Sequence, residues 1–115
     1  MLGKGILFTR RVIVVAAALS AISASGLSAA EKGGSYTVTI TQMRYGTLPD
    51  NLKAGDTITW VNKDTVQHTV TAKDHSFDIR LAPGKQATQT LKAGTFPFYC
   101  VYHPTMRGTL KVAAG

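Results

Sequence analysis

The sequence has 115 residues, of which 44% are hydrophobic, and it carries 13 lysines and arginines against six acidic residues, a formal net charge of +7. This length suits one small domain. Because the basic residues after residue 30 are scattered and never form a run, we interpret them as part of a solvated surface, and the charge pattern argues against a nucleic-acid-binding protein.

The N-terminal segment has the three-part pattern of a secretory signal peptide. Residues 1–11 carry three basic side chains and no acid, residues 12–22 are apolar, and residues 23–30 are small or polar. The apolar segment is shorter than the roughly 20 residues that cross a bilayer. We therefore predict that residues 1–30 are a signal peptide and that residues 31–115 form one periplasmic domain without a membrane span. Retention of the segment as an N-terminal anchor is the alternative.

The predicted mature domain has a modest charge and a single thiol. It keeps ten basic and six acidic residues, a formal charge of +4, which could favour an acidic partner surface. Small secreted domains often rely on disulfides, but Cys100 is the only cysteine. In an oxidising compartment this thiol is expected to be either a metal ligand or a buried, inert group.

The first half of this domain contains three segments in which apolar and polar residues alternate, as expected of half-buried strands. They are Ser35–Thr41, Thr57–Asn62 and His68–Ala72. Between the first two, residues 43–50 contain glycine and proline and are predicted to be irregular. Residues 52–56 are predicted to be a turn.

The second half continues as short predicted strands separated by turn residues. Residues 77–81 are predicted to form a short strand, residues 86–91 an edge or weakly buried strand, residues 94–100 a strand, and residues 108–112 a final strand. No segment of the mature domain has a convincing apolar period of 3.6 residues. About six to eight short strands with frequent turns predict an all-β sandwich or barrel.

Three side chains with metal-binding chemistry follow one another in the spacing Cys-x-x-His-x-x-Met: Cys100, His103 and Met106. A thiolate, an imidazole and a thioether form a ligand set that suits copper. Each residue alone has an ordinary explanation, since a lone cysteine is often a small buried hydrophobe and a lone methionine often fills a core. Their combination within seven residues favours a metal site.

Strand alternation suggests one more ligand from another strand. Cys100 alternates in phase with Phe98, and His68 alternates in phase with Val70, so both side chains are expected to point into the core. If the two strands are neighbours, the thiol and the imidazole converge at one end of the sandwich. Together with the two ligands from the loop after Cys100, this makes two imidazoles, a thiolate and a weak axial thioether, which is typical of electron-transfer copper sites.

Other readings of these residues meet specific difficulties. Covalent haem attachment needs Cys-x-x-Cys-His, and there is no second cysteine. Structural zinc usually has more cysteine and histidine ligands and no thioether. A cysteine–histidine nucleophile pair is conceivable, but the sequence offers no identifiable oxyanion site or base-orienting group.

Residues 36–112 resemble the cupredoxins, a family of small type 1 (blue) copper proteins, and within it the amicyanins, with pseudoazurins and plastocyanins as relatives. The matching text is Gly-Asp-Thr-Ile-Thr-Trp-Val-Asn at residues 55–62, then His68, then Gly-Thr-Phe through Tyr-Cys at 94–100 and His-Pro-x-Met-Arg-Gly at 103–108. The very short Cys-x-x-His-Pro-x-Met-Arg-Gly loop indicates the amicyanins.

The resemblance implies a Greek-key β-sandwich of about eight strands that holds one copper ion cycling between Cu(I) and Cu(II). It implies His68, Cys100 and His103 as strong ligands and Met106 as the weak axial ligand. It further implies a monomeric electron carrier, not an enzyme. A redox donor and acceptor, such as a dehydrogenase or a c-type cytochrome, would dock near His103.

Two positions beside the first histidine ligand depart from the family pattern. The family commonly has an asparagine directly after this histidine, which ties two ligand loops together, and here the residue is Thr69. A proline often precedes the histidine, and here the residue is Gln67. A threonine hydroxyl could make the same hydrogen bond as the asparagine.

The sequence does not exclude two functions other than electron transfer. A copper-binding protein for storage, delivery or sensing would use the same ligands but would bind Cu(I) labilely. A metal-free, adhesion-like β-sandwich would use none of them.

Overall fold

The computed structural model describes residues 33–115, in which nine strands and no helix occur. The predicted signal peptide, residues 1–30, lies outside this part of the chain. Nothing in the described part is a helix suited to crossing a membrane. The strands are β1 (Ser35–Thr41), β2 (Arg44–Tyr45), β3 (Leu52–Lys53), β4 (Thr57–Asn62), β5 (His68–Ala72), β6 (Asp78–Leu81), β7 (Gln86–Thr90), β8 (Gly94–Cys100) and β9 (His103–Ala113).

Two sheets pack against each other as a β-sandwich. One has the strand order β2-β1-β4-β7, and the other has the order β3-β9-β8-β5-β6. Strand β1 is parallel to β4, whereas the run β6-β5-β8-β9 is antiparallel throughout. Because successive strands such as β4 and β5, or β7 and β8, belong to different sheets, the connections cross between the layers. The prediction of an all-β Greek-key sandwich is confirmed.

An aromatic cluster occupies the centre of the core. Trp60 and Phe98 are fully buried and meet edge to face, with ring centroids 5.5 Å apart. Tyr45 packs edge-on against the same two rings, at 6.0 Å and 4.9 Å. Such pairs add stabilisation beyond the area that they bury. The other buried core residues are Val38, Ile40, Leu52, Ile58, Val70, Leu81, Leu91, Cys100, Met106, Leu110 and Val112.

Strand β5 is buried on both faces, although its alternation predicts one buried face. Thr69 and Thr71, on the outer side of the sheet, are 0% and 6% exposed. The register places Thr71 between Tyr99 of β8 and Asp78 of β6. Thr71 donates to Oδ1 of Asp78 on one side, and Thr69 accepts the N–H of Val101 on the other. Alternation within one strand cannot reveal these neighbours.

The strand boundaries differ from the predictions in two further places. Strand β9 begins at His103, well before the predicted start at residue 108, because its ladder with β8 continues to the last residue of that strand. Strands β2 and β3 each have two residues and lie in segments predicted to be irregular or a turn. Strand β7 is an edge strand, as predicted.

Candidate metal centre

Three of the four predicted ligands meet at one point. The Sγ atom of Cys100 lies 3.7 Å from Nδ1 of His68 and 3.6 Å from Nδ1 of His103. All three donor atoms lie within 4.8 Å of one another. His68 and Cys100 are fully buried, and His103 is half-buried. The donor atoms are therefore close enough to bind one ion, with the His103 ring nearest the surface.

Strand pairing brings together His68 and Cys100, which are 32 residues apart in the sequence. Strands β5 and β8 are antiparallel neighbours. His68 is the first residue of β5 and Cys100 is the last residue of β8. Since the start of one antiparallel strand lies beside the end of the other, both side chains reach the same end of the sandwich. The predicted convergence of thiol and imidazole is confirmed.

The Cys-x-x-His spacing corresponds to a tight hairpin and not to a free loop. Cys100 pairs with His103 across a two-residue turn. Cross-strand partners lie on the same face of a sheet with their Cβ atoms close together. The hairpin thus places the second imidazole next to the thiol, whereas the sequence analysis assigned His103 to a loop.

A break in the β8–β9 ladder lies between His103 and Met106. Tyr99 pairs with Arg107, so a regular register would pair Cys100 with Met106, but Cys100 pairs with His103 and residues 104–106 form an irregularity. Bulges of this kind often occur beside functional sites and redirect side chains. Met106 is 6% exposed and belongs to the same core cluster as Cys100, as the predicted axial ligand requires.

The glycine of the Met-Arg-Gly motif has a packing role. Gly108 pairs with Phe98 across the β8–β9 ladder. A Cβ atom at Gly108 would lie 2.8 Å from Cζ of Phe98, closer than the two atoms can approach. The absent side chain therefore leaves room for the Phe98 ring directly below Cys100.

The ring of His68 is oriented by a carboxylate that the sequence analysis did not identify. Nε2 of His68 lies 2.7 Å from Oδ2 of Asp64, which leaves Nδ1 directed toward Cys100. A carboxylate partner on the outer nitrogen fixes the tautomer of a metal-binding histidine and makes it more basic. The signal available in the sequence was an acid four residues before the histidine.

Asp64 also supports a strained turn between β1 and β2. Its carboxylate accepts the backbone N–H groups of Gln42 at 2.7 Å and Met43 at 2.9 Å. Both residues have positive φ, 54° and 59°, which is unusual for side chains of this kind. The N–H of Met43 most of all, then the hydrogen bonds of His68 and Gln42, hold the pKa of Asp64 below its usual range despite its partial desolvation.

The loop that leads to His68 is held by a buried amide. The Nδ2 group of Asn62 donates to the carbonyls of Val66 at 2.8 Å and Leu81 at 3.0 Å. Its Oδ1 accepts the N–H of Asp64 at 2.9 Å. Since a buried amide must satisfy its polar atoms, Asn62 fixes the loop and, through it, the carboxylate that orients His68.

Thr69 connects the His68 strand to the Cys100 hairpin at two points. Its backbone N–H lies 3.3 Å from Sγ of Cys100. Its hydroxyl accepts the N–H of Val101 at 3.0 Å. The threonine thus makes the link between two ligand segments that an asparagine commonly makes in the family.

Tyr45 supports the same backbone segment from inside. Its hydroxyl donates to the carbonyl of Thr69. Burial first, and then the negative charge of the nearby Cys100, raise the pKa of Tyr45. The aromatic cluster below the site therefore includes a neutral phenol that fixes the residue after His68.

His75, the third histidine of the sequence, is not part of the cluster formed by His68, Cys100 and His103. It is exposed, has a positive φ of 66°, and sits in the turn between β5 and β6. Tyr99 is half-buried on the outer face of its sheet, and the ammonium of Lys73 lies 6.0 Å from its ring centroid.

The sandwich fold, the buried thiol and the two convergent imidazoles together define a cupredoxin. Residues 11–112 match the family model described as a cupredoxin-like domain, and the chain belongs to this family. Within the family it is similar to the amicyanins.

The similarity to amicyanins extends over most of the sequence. Amicyanin of Paracoccus denitrificans is 34% identical over 98 residues, which cover 78% of this chain and 75% of the relative. Amicyanin-alpha of Methylorubrum extorquens is 31% identical over 118 residues, which cover 89% of this chain and 98% of the relative.

Solved structures agree with these relatives. The Cu(I) form of a methionine-to-alanine variant of amicyanin has a TM-score of 0.58 and 30% identity, and the match covers 76% of this chain and 89% of that one. Amicyanin from Paracoccus versutus has a TM-score of 0.53 and 27% identity, with 75% and 83% covered. A copper-containing nitrite reductase from Thermus scotoductus, at 24% identity and a TM-score of 0.56, is matched over 22% of its length and shows a shared fold alone.

Proposed function

We propose that this protein is a periplasmic blue-copper electron carrier that shuttles single electrons between redox proteins. His68, Cys100 and His103 would be the strong ligands of one copper ion, and Met106 the weak axial ligand. The observation that carries the proposal is the buried convergence of one thiol and two imidazoles within 4.8 Å, on a chain that is similar to amicyanins over most of its length.

The donor set fits copper better than other metals. Two imidazoles and a thiolate with a weak thioether are typical of electron-transfer copper sites. Bound copper supplies the one-electron cycle between Cu(II) and Cu(I). The buried donor atoms and the apolar residues below them would exclude water, which helps to set the potential of such a site.

The protein's own contribution is to restrain the ligands. Asp64 holds the ring of His68, and the N–H of Thr69 lies against the sulfur of Cys100. Ligands that are locked by hydrogen bonds and packing keep their geometry. A site whose geometry changes little between its two oxidation states has a small reorganisation energy. Electron transfer to and from such a site is fast, which suits a carrier.

His103 is the expected entry and exit point for electrons. It is half-buried, and its neighbours Tyr102 and Pro104 are exposed. A donor and an acceptor, such as a dehydrogenase or a c-type cytochrome, would dock over this ring in turn, with the protein acting as a monomer and not as an enzyme. The formal charge of +4 on residues 31–115 would favour partners with an acidic docking surface.

The periplasmic location follows from the signal-peptide pattern of residues 1–30. We propose that the cell removes this segment and releases residues 31–115. Intact-mass measurement of protein recovered from the periplasm of cells that express the full chain tests this. A mass that includes residues 1–30, in a membrane fraction, would instead indicate a retained anchor.

One spectrum distinguishes the carrier from a copper-delivery protein. Protein expressed from the full chain and supplied with copper should bind one ion and give an intense visible Cys-to-Cu(II) charge-transfer band with reversible one-electron cycling. Cys100→Ser should abolish the band, Met106→Leu should shift the potential while copper stays bound, and His75→Ala should leave both unchanged. Labile Cu(I) binding without the band would support delivery or storage, and metal-free, colourless protein would contradict a copper function.

A further inference from the structure

We propose that Asp78, a surface residue of β6, is a positioning residue for the hairpin that carries Cys100 and His103. It would act through two hydrogen-bonded connections that reach the two turn residues, Val101 and Tyr102. The effect on copper rests on the proposed electron-transfer function, whereas the effect on the hairpin does not.

The first connection runs through two buried threonines. Oδ1 of Asp78 lies 2.8 Å from Oγ1 of Thr71. Oγ1 of Thr71 lies 2.9 Å from Oγ1 of Thr69. The hydroxyl of Thr69 then accepts the N–H of Val101 at 3.0 Å. An unbroken chain of hydrogen bonds therefore links the outer strand β6, through β5, to the turn between the two ligands.

The hydroxyl of Thr71 is the donor at the centre of this chain. It is placed to donate both to Oδ1 of Asp78 and to Oγ1 of Thr69, and since a hydroxyl has one proton, the two acceptors share it. The oxygen of Thr69 accepts from Thr71 and from the N–H of Val101. Without Asp78, the Thr71 hydroxyl loses the carboxylate that anchors it, and the Thr69 oxygen that accepts the N–H of Val101 is held less firmly.

The second connection runs over the surface. Oδ2 of Asp78 lies 3.2 Å from Nε of Arg80. Nη1 of Arg80 lies 3.4 Å from the hydroxyl of Tyr102. Asp78 and Arg80 are about half exposed, 44% and 50%, so solvent weakens this contact. The buried threonine path should therefore carry most of the effect.

Both connections end on the segment that sets the distance between the sulfur and the second imidazole. Thr69 accepts the N–H of Val101 with its hydroxyl and directs its own backbone N–H at Sγ of Cys100. An N–H dipole aimed at the sulfur favours the more electron-rich, reduced state of a copper–thiolate pair. Loosening of the chain should therefore lower the reduction potential of the copper-loaded protein.

The test compares four variants by two independent measurements. Asp78→Ala removes both connections, and Thr71→Val breaks the threonine path at constant shape. Asp78→Asn keeps an acceptor for Thr71 but loses the charge. Asp74→Ala removes a neighbouring exposed carboxylate that bonds only Ser76 among the described side-chain hydrogen bonds, and serves as the control.

The first measurement is amide hydrogen exchange of Val101 in the copper-free protein. Asp78→Ala and Thr71→Val should accelerate exchange about tenfold, the equivalent of one lost hydrogen bond. Asp78→Asn and the Asp74 control should exchange at close to the wild-type rate. Unchanged protection in both Asp78→Ala and Thr71→Val would overturn the proposal, and Thr71→Val keeps the test valid if Asp78→Ala fails to fold.

The second measurement is the reduction potential and visible band of the copper-loaded proteins. Asp78→Ala and Thr71→Val should lower the potential and displace the band, whereas Asp78→Asn should stay close to wild type. Equal shifts in Asp78→Ala and Asp78→Asn with unchanged Val101 exchange would show that Asp78 acts through its charge alone, against the proposal. Faster Val101 exchange in a protein that gives no copper band would contradict the proposed function and leave the positioning role supported.

Discussion

The hydroxyl of Thr69 accepts the backbone N–H of Val101 at 3.0 Å, and this bond joins the strand that begins with His68 to the turn between Cys100 and His103. The two bonded residues are 32 positions apart in the sequence. The contact therefore exists only because β5 and β8 are neighbours, and it makes the geometry of the site depend on a side chain that binds no metal.

Thr69→Val should lower the stability of the copper-free protein. Valine has nearly the shape of threonine but cannot accept a hydrogen bond from the N–H of Val101. Because β5 is buried on both faces, no other acceptor replaces the lost hydroxyl. A cost of about 1–3 kcal/mol is expected for an unsatisfied buried donor, measured by urea denaturation. Thr69→Ser keeps the hydroxyl and should lose clearly less unfolding free energy than Thr69→Val. Equal losses in the two variants would mean that the methyl group, not the hydrogen bond, is what stabilises the strand.

Asp64→Ala should weaken copper binding by about 10- to 100-fold, the usual effect of removing the partner that orients a metal-binding histidine. The carboxylate holds Nε2 of His68 and the N–H groups of the strained turn between β1 and β2. Competition titration with a Cu(I) chelator measures the change. Asp74→Ala removes an exposed acid of the same type and should bind copper as the wild type does. Wild-type affinity in Asp64→Ala would show that His68 needs no orienting partner.

Tyr45→Phe should make the protein less stable at neutral pH and less sensitive to alkali. Loss of the hydrogen bond to Thr69 should cost about 1 kcal/mol. The pKa of Tyr45 is raised in the folded state, so its contribution is complete below the ordinary tyrosine pKa of about 10 and is lost as the pH rises further. Denaturation between about pH 9 and pH 11 should show a shallower fall in the free energy of unfolding for Tyr45→Phe. The same slope in both proteins would contradict a role for this phenol.

Asp56→Asn should flatten the acid side of the stability curve. The backbone N–H groups of Lys53 and Gly34 hold the pKa of Asp56 below its ordinary value of 3.8. A lowered pKa stabilises the folded state above the unfolded value, and this stabilisation is lost as the pH falls. Denaturation of the copper-free protein from about pH 6 to pH 3 measures the slope. Asp50→Asn, a change at an exposed acid, should keep the wild-type slope, and a steep slope retained in Asp56→Asn would refute the assignment.

Gly108→Ala should destabilise the sandwich, because the added Cβ would lie 2.8 Å from Cζ of Phe98. Overpacking of this kind costs about 1–3 kcal/mol, and thermal unfolding measures it. Phe98→Leu by itself should also destabilise the protein. The double variant should nevertheless lose less unfolding free energy than the sum of the two single variants, because leucine leaves room for the added Cβ. Strict additivity would show that the two residues do not compete for space.

Much of the site could be predicted from the sequence for local reasons. The chemistry of Cys100, His103 and Met106 is contained in their side chains and spacing, and residue alternation placed Cys100 and His68 on inward faces. Each inference needs only the period of two that every strand has. The strand segments followed from the same period, although β9 begins at His103 and not at the predicted residue 108.

The hairpin at Cys100 shows where local reasoning stopped. The sequence placed His103 in a loop, whereas pairing with β8 extends strand β9 back to this residue. Whether a polar or mixed segment becomes a strand depends on the partner that is available to bond its backbone. That partner is visible only once the chain has folded.

The sequence by itself determined the ligand types, the inward faces and the cupredoxin class, since these depend on side-chain chemistry and short-range periodicity. The tertiary structure decided that β5 lies between β6 and β8. That placement buried Thr69 and Thr71 between neighbouring strands and connected Asp78 to the hairpin that carries Cys100 and His103. These contacts join residues that are neighbours only in space, and no local period of the chain encodes which strands will pair.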